Sequence, residues 1–520
     1  MALLRSIATV GGYTIGSRVL GFVRDILIAR LLGAGMIADA FFVALRFPNL
    51  FRSLFAEGAF NASFVPLFGR RLEEDGRAAA RRFAEDVLAV LLVALLAFTV
   101  LAQIAMPWLM HAIAPGFAET PAKFDLAVQF TRITFPYLLF MSLTALQGGV
   151  LNSLHRFAAA AAAPILLNVV MILALVVVVP LTGQTGHVLA WAVSVAGLGQ
   201  FLLMVAACRR AGIVLSLPVP RLSPAVRRLL RLMLPGVVGA GATQINLLVG
   251  TIVATLQPGA VSYLYYADRI YQLPLAVIGS AVGVVLLPEL TRSLRGGRPE
   301  AAMATLNRCI EFAALLTLPA AVALVAIPGP IVAVLFQRGA FDAAASQATA
   351  LALTAYAVGL PAYVLIKALA PGFYAREDTA TPFRYAVVSM AANIALSLAL
   401  FRVLGFVGIA LASALAAWLN AGLLGHRLHA RRHLIGDDRL RRRLPRIVVS
   451  SLVMGGALWL AADRLGAALA GPLALKVAAL AALVLGGLAL FGALALLSGA
   501  LALGDLRRVL RRGRGSGPSA

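Results

Sequence analysis

The chain has 520 residues, of which 61% are hydrophobic and 13% charged, and its mean hydropathy is +0.93. A water-soluble fold has no means of hiding that much apolar surface, so the composition excludes soluble enzymes and nucleic-acid-binding domains and describes a polytopic membrane protein. The net charge of +24 does not revive a nucleic-acid partner, because the basic residues are sorted by loop, as membrane topology requires.

Apolar tracts of about 20 residues or more recur from end to end, rich in Ala, Leu, Val and Gly and without sustained alternation. They read as helices rather than barrel strands, since a helix satisfies its own backbone in lipid. Fourteen tracts are predicted, at residues 7–33, 38–68, 83–110, 125–152, 158–180, 187–208, 232–256, 260–290, 306–327, 345–373, 383–401, 407–425, 447–463 and 473–502. The opening "MALLRSIATVGGYTIGSR" has no small-residue cleavage site and Arg18 interrupts its apolar run, so the first tract is expected to stay as a helix rather than leave as a signal peptide.

The loops between fourteen helices alternate sides. Thirty-two of the 45 basic residues fall in loops on the side of the N-terminus, and only Lys123, Arg338, Arg402 and Arg464 fall on the other. That bias predicts cytoplasmic termini, and a missed helix would have scrambled it.

The chain repeats itself. "ADAFFVALRFPNLF...FVPLFGR" is echoed by "SYLYYADRIYQLPLAV...VLLPELTR", with Arg46 mapping onto Arg269, Pro66 onto Pro288 and Arg70 onto Arg292; "FPYLLFMSLTALQGG" is echoed by "LPAYVLIKALAPGF". Six helices per repeat is an even number, so the halves are parallel and related by an axis along the membrane normal. The expected fold is therefore all-α: a polytopic membrane protein of about 14 transmembrane helices, in two six-helix lobes with pseudo-two-fold symmetry plus two C-terminal helices. The boundaries are residues 1–221 for the N-terminal lobe, 222–430 for the C-terminal lobe, 431–505 for helices 13 and 14, and 506–520 for a basic cytoplasmic tail. Paired parallel lobes suit alternating access, with a cavity expected between helices 1, 2, 7 and 8.

Charge inside the tracts concentrates there. Helix 1 carries Arg18, Arg24, Asp25 and Arg30; helix 2 carries Asp39, Arg46, Arg52 and Glu57; helix 8 carries Asp268 and Arg269. An arginine at the bilayer centre costs about 2.5–3.5 kcal/mol even on permissive scales, so such groups face a protein interior or a watery cavity. At about 100° per residue, Arg18 and Asp25 share a face, as do Asp39 and Arg46, while Arg24 sits about 120° from Arg18. A broad cationic wall results, and guanidinium matches phosphate oxygens bidentately. The competing reading is that these arginines pair with the neighbouring carboxylates or snorkel, and Arg30, beside "LLGAG", reads as a snorkelling residue. Arg132 and Lys367 in helices 4 and 10 fit either reading.

Other chemistry finds little support. Cys208 and Cys309 are isolated. His426, His429 and His433 share a helix face but sit among arginines that repel a cation, no Gly-rich phosphate loop with Lys-Ser/Thr occurs, and "REDTATP" is a short polar loop. No catalytic residue, metal site or cofactor is expected.

"GSRVLGFVRDILIARLLGAG", "ADAFFVALRFPNLFRSLFAEGAFNASFVPLF", "YYADRIYQLP" and "AREDTATP" resemble the MurJ (MviN) family of bacterial lipid II flippases, within the multidrug/oligosaccharidyl-lipid/polysaccharide exporter superfamily, over essentially the whole chain. The resemblance implies transport of undecaprenyl-pyrophosphate-linked disaccharide pentapeptide from the inner to the outer leaflet of the cytoplasmic membrane, for peptidoglycan synthesis. It implies Arg18, Arg24, Arg52 and Arg269 as substrate-binding residues and Asp25, Asp39, Arg46, Glu57 and Asp268 as gating or orienting ones. It also implies a groove for the polyprenyl tail on helices 13 and 14, membrane lipids as surroundings, and contact with cell-wall synthesis proteins. Where some relatives use sodium between helices 7 and 11, "NLLVGTIVATL" has Gly250 and "ANIALSLAL" offers only Asn393 and Ser397, which do not make a full sodium site. Membrane potential is the expected drive. The nearest rival is an exporter of another polyprenyl-linked glycan; a drug-cation antiporter would show a carboxylate excess, and a glycosyltransferase would need a sizeable outer loop.

Overall fold

The structure, a computed structural model, describes residues 2–53 and 60–501 and is helical wherever those residues are regular. Glu57 and the tail at 506–520 lie outside the described residues. In chain order the helices are α1 (Ala2–Leu32), α2 (Met36–Phe51), α3 (Phe60–Glu74), α4 (Gly76–Ile113), α5 (Pro121–Thr134), α6 (Pro136–Ser153), α7 (Ala158–Leu173), α8 (Val179–Thr182), α9 (Thr185–Arg210), α10 (Pro224–Thr255), α11 (Ala260–Arg295), α12 (Pro299–Ala326), α13 (Pro328–Phe336), α14 (Ala343–Tyr374), α15 (Ala380–Leu404), α16 (Phe406–Ala430), α17 (Asp438–Arg464), α18 (Gly466–Ala470) and α19 (Leu473–Leu497). A π turn at Ala174–Val178 joins α7 to α8.

Each apolar tract falls on a helix or a helix pair. Ten helical stretches of the described residues are long and apolar enough to cross a membrane. The charged α1 and the short α2 and α3 are not among them, and α10 contributes only the shorter apolar run Gln244–Thr255. One tract that reads as continuous is divided. Helix 4 breaks at Phe135, where Pro136 starts α6 at a position that needs no N–H. Helix 2 is described as α2 and α3, on either side of residues 54–59, which lie outside the described residues.

By contact the chain divides into two compact units, Met1–Ser262 with Arg338–Asp342, and Tyr263–Gln337 with Ala343–Ala520. In the first, α1 packs on α7, α2 on α5, α3 on α4 and α6, and α6 on α9. Its aromatic centre is a stack in which Phe64 lies 5.0 Å from Phe60, 5.6 Å from Phe68 and 5.6 Å from Phe83. Val226 and Leu229 of α10 are buried in that same cluster. The unit therefore runs past residue 221, where the sequence repeat is divided: repetition follows ancestry, and contact follows packing. The loop at Arg338–Asp342 is tied in by the Ala340 amide, which donates to the Arg30 carbonyl at 2.8 Å. Gly33, at φ 69°, lets the chain turn there, since a Cβ would sit 2.4 Å from the Ala340 carbonyl oxygen.

In the second unit α14 packs on α12 and α16, α15 on α16, α17 on α12 and α19 on α17. Lipid tails are as apolar as leucine, so helices associate in a bilayer through close packing and hydrogen bonds rather than hydrophobic exclusion. Small residues supply the closeness: Gly455 of α17 stands where a Cβ would lie 2.3 Å from Val322 Cγ1. Hydrogen bonds anchor the start of the same helix. The buried Glu311 of α12 accepts from Arg439 Nε at 3.1 Å, Arg443 Nη1 at 2.5 Å and Arg308, which also pairs with Asp437. Asp437 in turn caps α17 by accepting from the Leu440 amide at 2.8 Å.

The "REDTATP" loop has a similar strap. Asp378 accepts from the Thr381 amide at 2.9 Å, the Thr381 hydroxyl at 2.8 Å and Arg431 Nη1 at 2.6 Å. These donors, the Thr381 amide first, lower its pKa from 3.8 to about 2. A depressed carboxyl contributes stability above its unfolded pKa and loses it as pH falls through the folded one. The loop contact is therefore expected to hold at pH 4 and to be lost toward pH 2. Hydrogen exchange at the Thr381 amide, corrected for intrinsic rate, should show that loss in the native chain and no acid transition in Asp378→Asn.

Candidate functional site

The charged residues of α1 are positioned by one amide on α7. Arg24 bends back along its own helix to donate to Asp25 Oδ1 from Nε at 3.1 Å and Nη2 at 2.8 Å, and its Nη1 donates to Asn168 Oδ1 at 2.9 Å. Asn168 Nδ2 then donates to the Ser17 carbonyl at 2.9 Å. Gly21 leaves the space this needs, its missing Cβ lying 3.5 Å from Asn168 Nδ2. Asp25 is buried, Arg24 half-buried and Arg18 exposed. Face geometry alone aligns Arg18 with Asp25, but the flexible Arg24 takes the carboxylate. Arg18 has no hydrogen bond or ion pair to another described residue.

The residues of α2 separate in the same way. Arg46 and Asp39, expected to share a face, have different partners: Arg46 Nη1 donates to Thr251 Oγ1 of α10 at 2.5 Å. Asp39 is fully buried and accepts four bonds. Lys123 Nζ reaches Oδ2 at 2.7 Å and the Gly259 amide reaches it at 2.8 Å, while the Ser262 amide and hydroxyl reach Oδ1 at 2.9 and 2.6 Å. The ammonium of Lys123 also lies 4.1 Å over the Phe117 ring. Asp39 thus joins α2, α5 and the turn before α11, with every strong acceptor direction used. Its geometry is that of a structural tie. Arg52 donates from Nε to Asn49 Oδ1 at 3.0 Å. Beside the C-terminal end of α1, Arg338 is pushed below the usual guanidinium value by burial and by the neighbouring Arg30.

In the second unit Asp268 accepts from Gln272, one turn later on α11. The guanidinium of Arg269 lies 4.7 Å over the Tyr265 ring, a cation–π contact that holds its charge in an apolar setting. Tyr271 stacks on Tyr356 at 5.6 Å and meets Tyr363 edge-on at 5.9 Å. Asn393 and Ser397 are buried one turn apart on α15, and Lys367 is exposed on α14.

Sequence reasoning did not single out Asn168, Thr251, Gln272 or Tyr265. The signal for Asn168 was present as the one amide in "PILLNVVMIL"; nothing local marked Thr251. Of the three histidines, His429 places Nδ1 3.1 Å from the Leu434 carbonyl oxygen, and burial, Arg376 and Arg431 lower the pKa of His433.

An all-helical polytopic protein whose helices hold guanidinium groups with amides, carboxylates and aromatic faces belongs among membrane transporters. The fold agrees. A solved structure described as "Lipid II flippase MurJ, inward closed conformation" matches with a TM-score of 0.77 at 23% identity, over 94% of this chain and 97% of that one. An inward-facing multidrug resistance MATE family transporter of the MOP superfamily matches with a TM-score of 0.66 at 16% identity, over 80% and 95%. The family profile of the lipid II flippase MurJ matches residues 28–473, and the chain belongs to that family. A "Probable lipid II flippase MurJ" of Rhizobium tropici is 49% identical over 99% of this chain and 98% of its own length. The "Lipid II flippase MurJ" of Burkholderia cenocepacia is 37% identical over 88% and 89%.

Removing one partner of a buried ion pair costs about 3–5 kcal/mol, because the other charge is stranded. Asp39→Ala is expected to lose stability on that scale. Asp39→Ala with Lys123→Met should recover only part of it, since the Gly259 and Ser262 amides still lack an acceptor. Thermal unfolding of the purified proteins in detergent measures both.

Proposed function

We propose that this chain moves lipid II, undecaprenyl-pyrophosphate-linked disaccharide pentapeptide, from the inner to the outer leaflet of the bacterial cytoplasmic membrane by alternating access, for peptidoglycan synthesis. The observation that carries the reading is the near-full-length similarity to MurJ proteins, with 49% identity to the Rhizobium tropici relative. In this reading the protein has fourteen spans, in lobes of six (1–221 and 222–430) followed by helices 13 and 14 (431–505), whose bland, Gly-containing surface receives the polyprenyl tail. Both termini are cytoplasmic. Proteins of cell-wall synthesis are its neighbours.

Arg18, Arg24, Arg52 and Arg269 bind the pyrophosphate, and Asp25, Arg46, Glu57 and Asp268 orient or gate them. The exposure of Arg18 and the ring support under Arg269 favour this division. The pairing of Arg24 with Asp25 makes Arg24 a group that changes partner rather than one that waits for substrate. Asp39, saturated by its four donors, acts structurally. Membrane potential supplies direction: carrying negative charge out of an inside-negative cell gains about 2.3 kcal/mol per charge per 100 mV. The charges of the returning empty carrier reduce the net gain.

A charge-assisted hydrogen bond is worth about 1.5–3 kcal/mol, so Arg18→Ala, Arg52→Ala and Arg269→Ala should each lower lipid II flipping by about tenfold to a hundredfold with the protein still folded and inserted. A leaflet assay for lipid II in depleted cells reads this. Normal flipping by well-expressed Arg18→Ala and Arg269→Ala proteins would remove the substrate site. Restoration by Arg24→Gln with Asp25→Asn would reduce that pair to a salt bridge.

For topology, reporter fusions after Ala430 and near Gly183 are expected on opposite sides of the membrane, with the first inside. The same side for both would overturn the fourteen-span count.

A further inference from the structure

Pro136 leaves a carbonyl without its helical donor, and the way that carbonyl is satisfied builds a groove. A proline has no N–H to give to the carbonyl four residues earlier, here that of Arg132. Gln103 of α4 replaces it, donating from Nε2 to the Arg132 carbonyl at 2.8 Å, and Arg132 Nε donates back to the Gln103 carbonyl at 3.1 Å. This reciprocal pair fixes the guanidinium at the break between α5 and α6. Among the described residues its Nη1 and Nη2 have no protein partner.

The face involved is not the one packed on α2. Thr134 donates to the Ala44 carbonyl at 3.0 Å, and Arg132, about 160° from Thr134 around the helix, is on the other side. On that outer face lies a groove of about 440 Å³ between α5/α6 and α9, bordered by Arg132, Ile133, Phe140, Trp191, Val195 and Leu198. Trp191 and Leu198 are seven residues apart on α9, so the groove runs about 10 Å along the helices. Its volume is that of a small-molecule site.

The outer ends of the tracts at residues 125 and 187 place Arg132 about 10 Å and Trp191 about 6 Å inside the boundary. Side chains of a helix lean toward its N-terminus, which for α5 is the outer end. Trp191 is 59% exposed, as tryptophans of an interfacial belt are. The groove therefore starts under the outer headgroups beside Trp191 and runs down into the hydrocarbon past Arg132 to Leu198, with the cation along its upper half.

We propose that this groove holds one anionic phospholipid of the outer leaflet, its phosphodiester bonded by Arg132 Nη1 and Nη2 and one acyl chain lying between α5/α6 and α9. The assignment rests on the membrane orientation given under Proposed function but not on the identity of the transported substrate. Charge complementarity selects the occupant. A guanidinium with two donors left in an apolar medium requires an acceptor, and the apolar walls below it require a chain.

The test uses the full-length protein in vesicles with a phosphatidylglycerol that carries a photoreactive group midway along one acyl chain, and with the phosphatidylcholine of the same chains. Peptide mapping should find label from the phosphatidylglycerol probe within 133–140 and 191–198, with weaker label from phosphatidylcholine. Arg132→Gln should lower that label by about tenfold, the equivalent of one charge-assisted bond, and Val195→Trp should remove it by filling the groove. Equal labelling by the two lipids, or unchanged labelling of the Arg132→Gln protein, would overturn the proposal. Lipid II flipping is read separately and should persist in Arg132→Gln. If Arg132→Gln abolished flipping while leaving the label intact, Arg132 would belong to the substrate path and the groove assignment would fall.

Discussion

Inside hydrocarbon there is no water to accept a stray hydrogen bond, and this one constraint organises the polar chemistry of the fold. Asp39 is usable at full burial because two amides, a hydroxyl and an ammonium converge on it. Asn168 links Ser17 to Arg24. Gln103 answers the carbonyl that Pro136 orphans. Each is a local solution to the same problem, and each also joins helices distant in sequence. Since packing in lipid lacks a hydrophobic drive between helices, these polar ties specify neighbours that apolar surfaces alone would leave interchangeable.

The same constraint sorts the arginines. Those with a nearby acceptor are held: Arg24 by Asp25 and Asn168, and Arg46 by Thr251. Arg269 rests against the aromatic face of Tyr265, which stabilises a cation. Arg18 has no hydrogen-bond or ion-pair partner among the described residues. A guanidinium buried in a strong salt bridge costs more to recruit to a new partner than one held by a single weaker contact.

Helices α17 and α19 are attached by a different division of labour. At the end of α17 that follows the basic connector, one buried carboxylate, Glu311, gathers Arg308, Arg439 and Arg443. Farther along, contact is close and apolar, through Gly455 against Val322 and Leu458 against Gly487. The polar anchor sets the register of the helix, and the small residues let it approach. A surface so secured at one end and so featureless along its length is suited to a long apolar chain, which needs area rather than directed bonds.

Much of this protein was legible before folding. Composition and periodicity determined an all-helical membrane protein, because lipid permits few other ways to satisfy a backbone, and the sorting of arginines among loops determined the expected orientation. The motifs around Arg18–Arg30, Ala38–Phe68 and Tyr265–Pro274 pointed to the family that the profile match at residues 28–473 identifies. What periodicity could not determine was partnership. Helical angles put Arg18 on one face with Asp25 and Arg46 on one face with Asp39, yet a long side chain reaches whichever acceptor the fold brings near, so Arg24 took Asp25 and Lys123 took Asp39. The break at Phe135, the burial of α10 residues in the first unit and the groove beside Arg132 were likewise decided by tertiary structure. Each depends on which surfaces meet across many residues of chain, and a one-dimensional pattern records which face a residue occupies but not what stands opposite it.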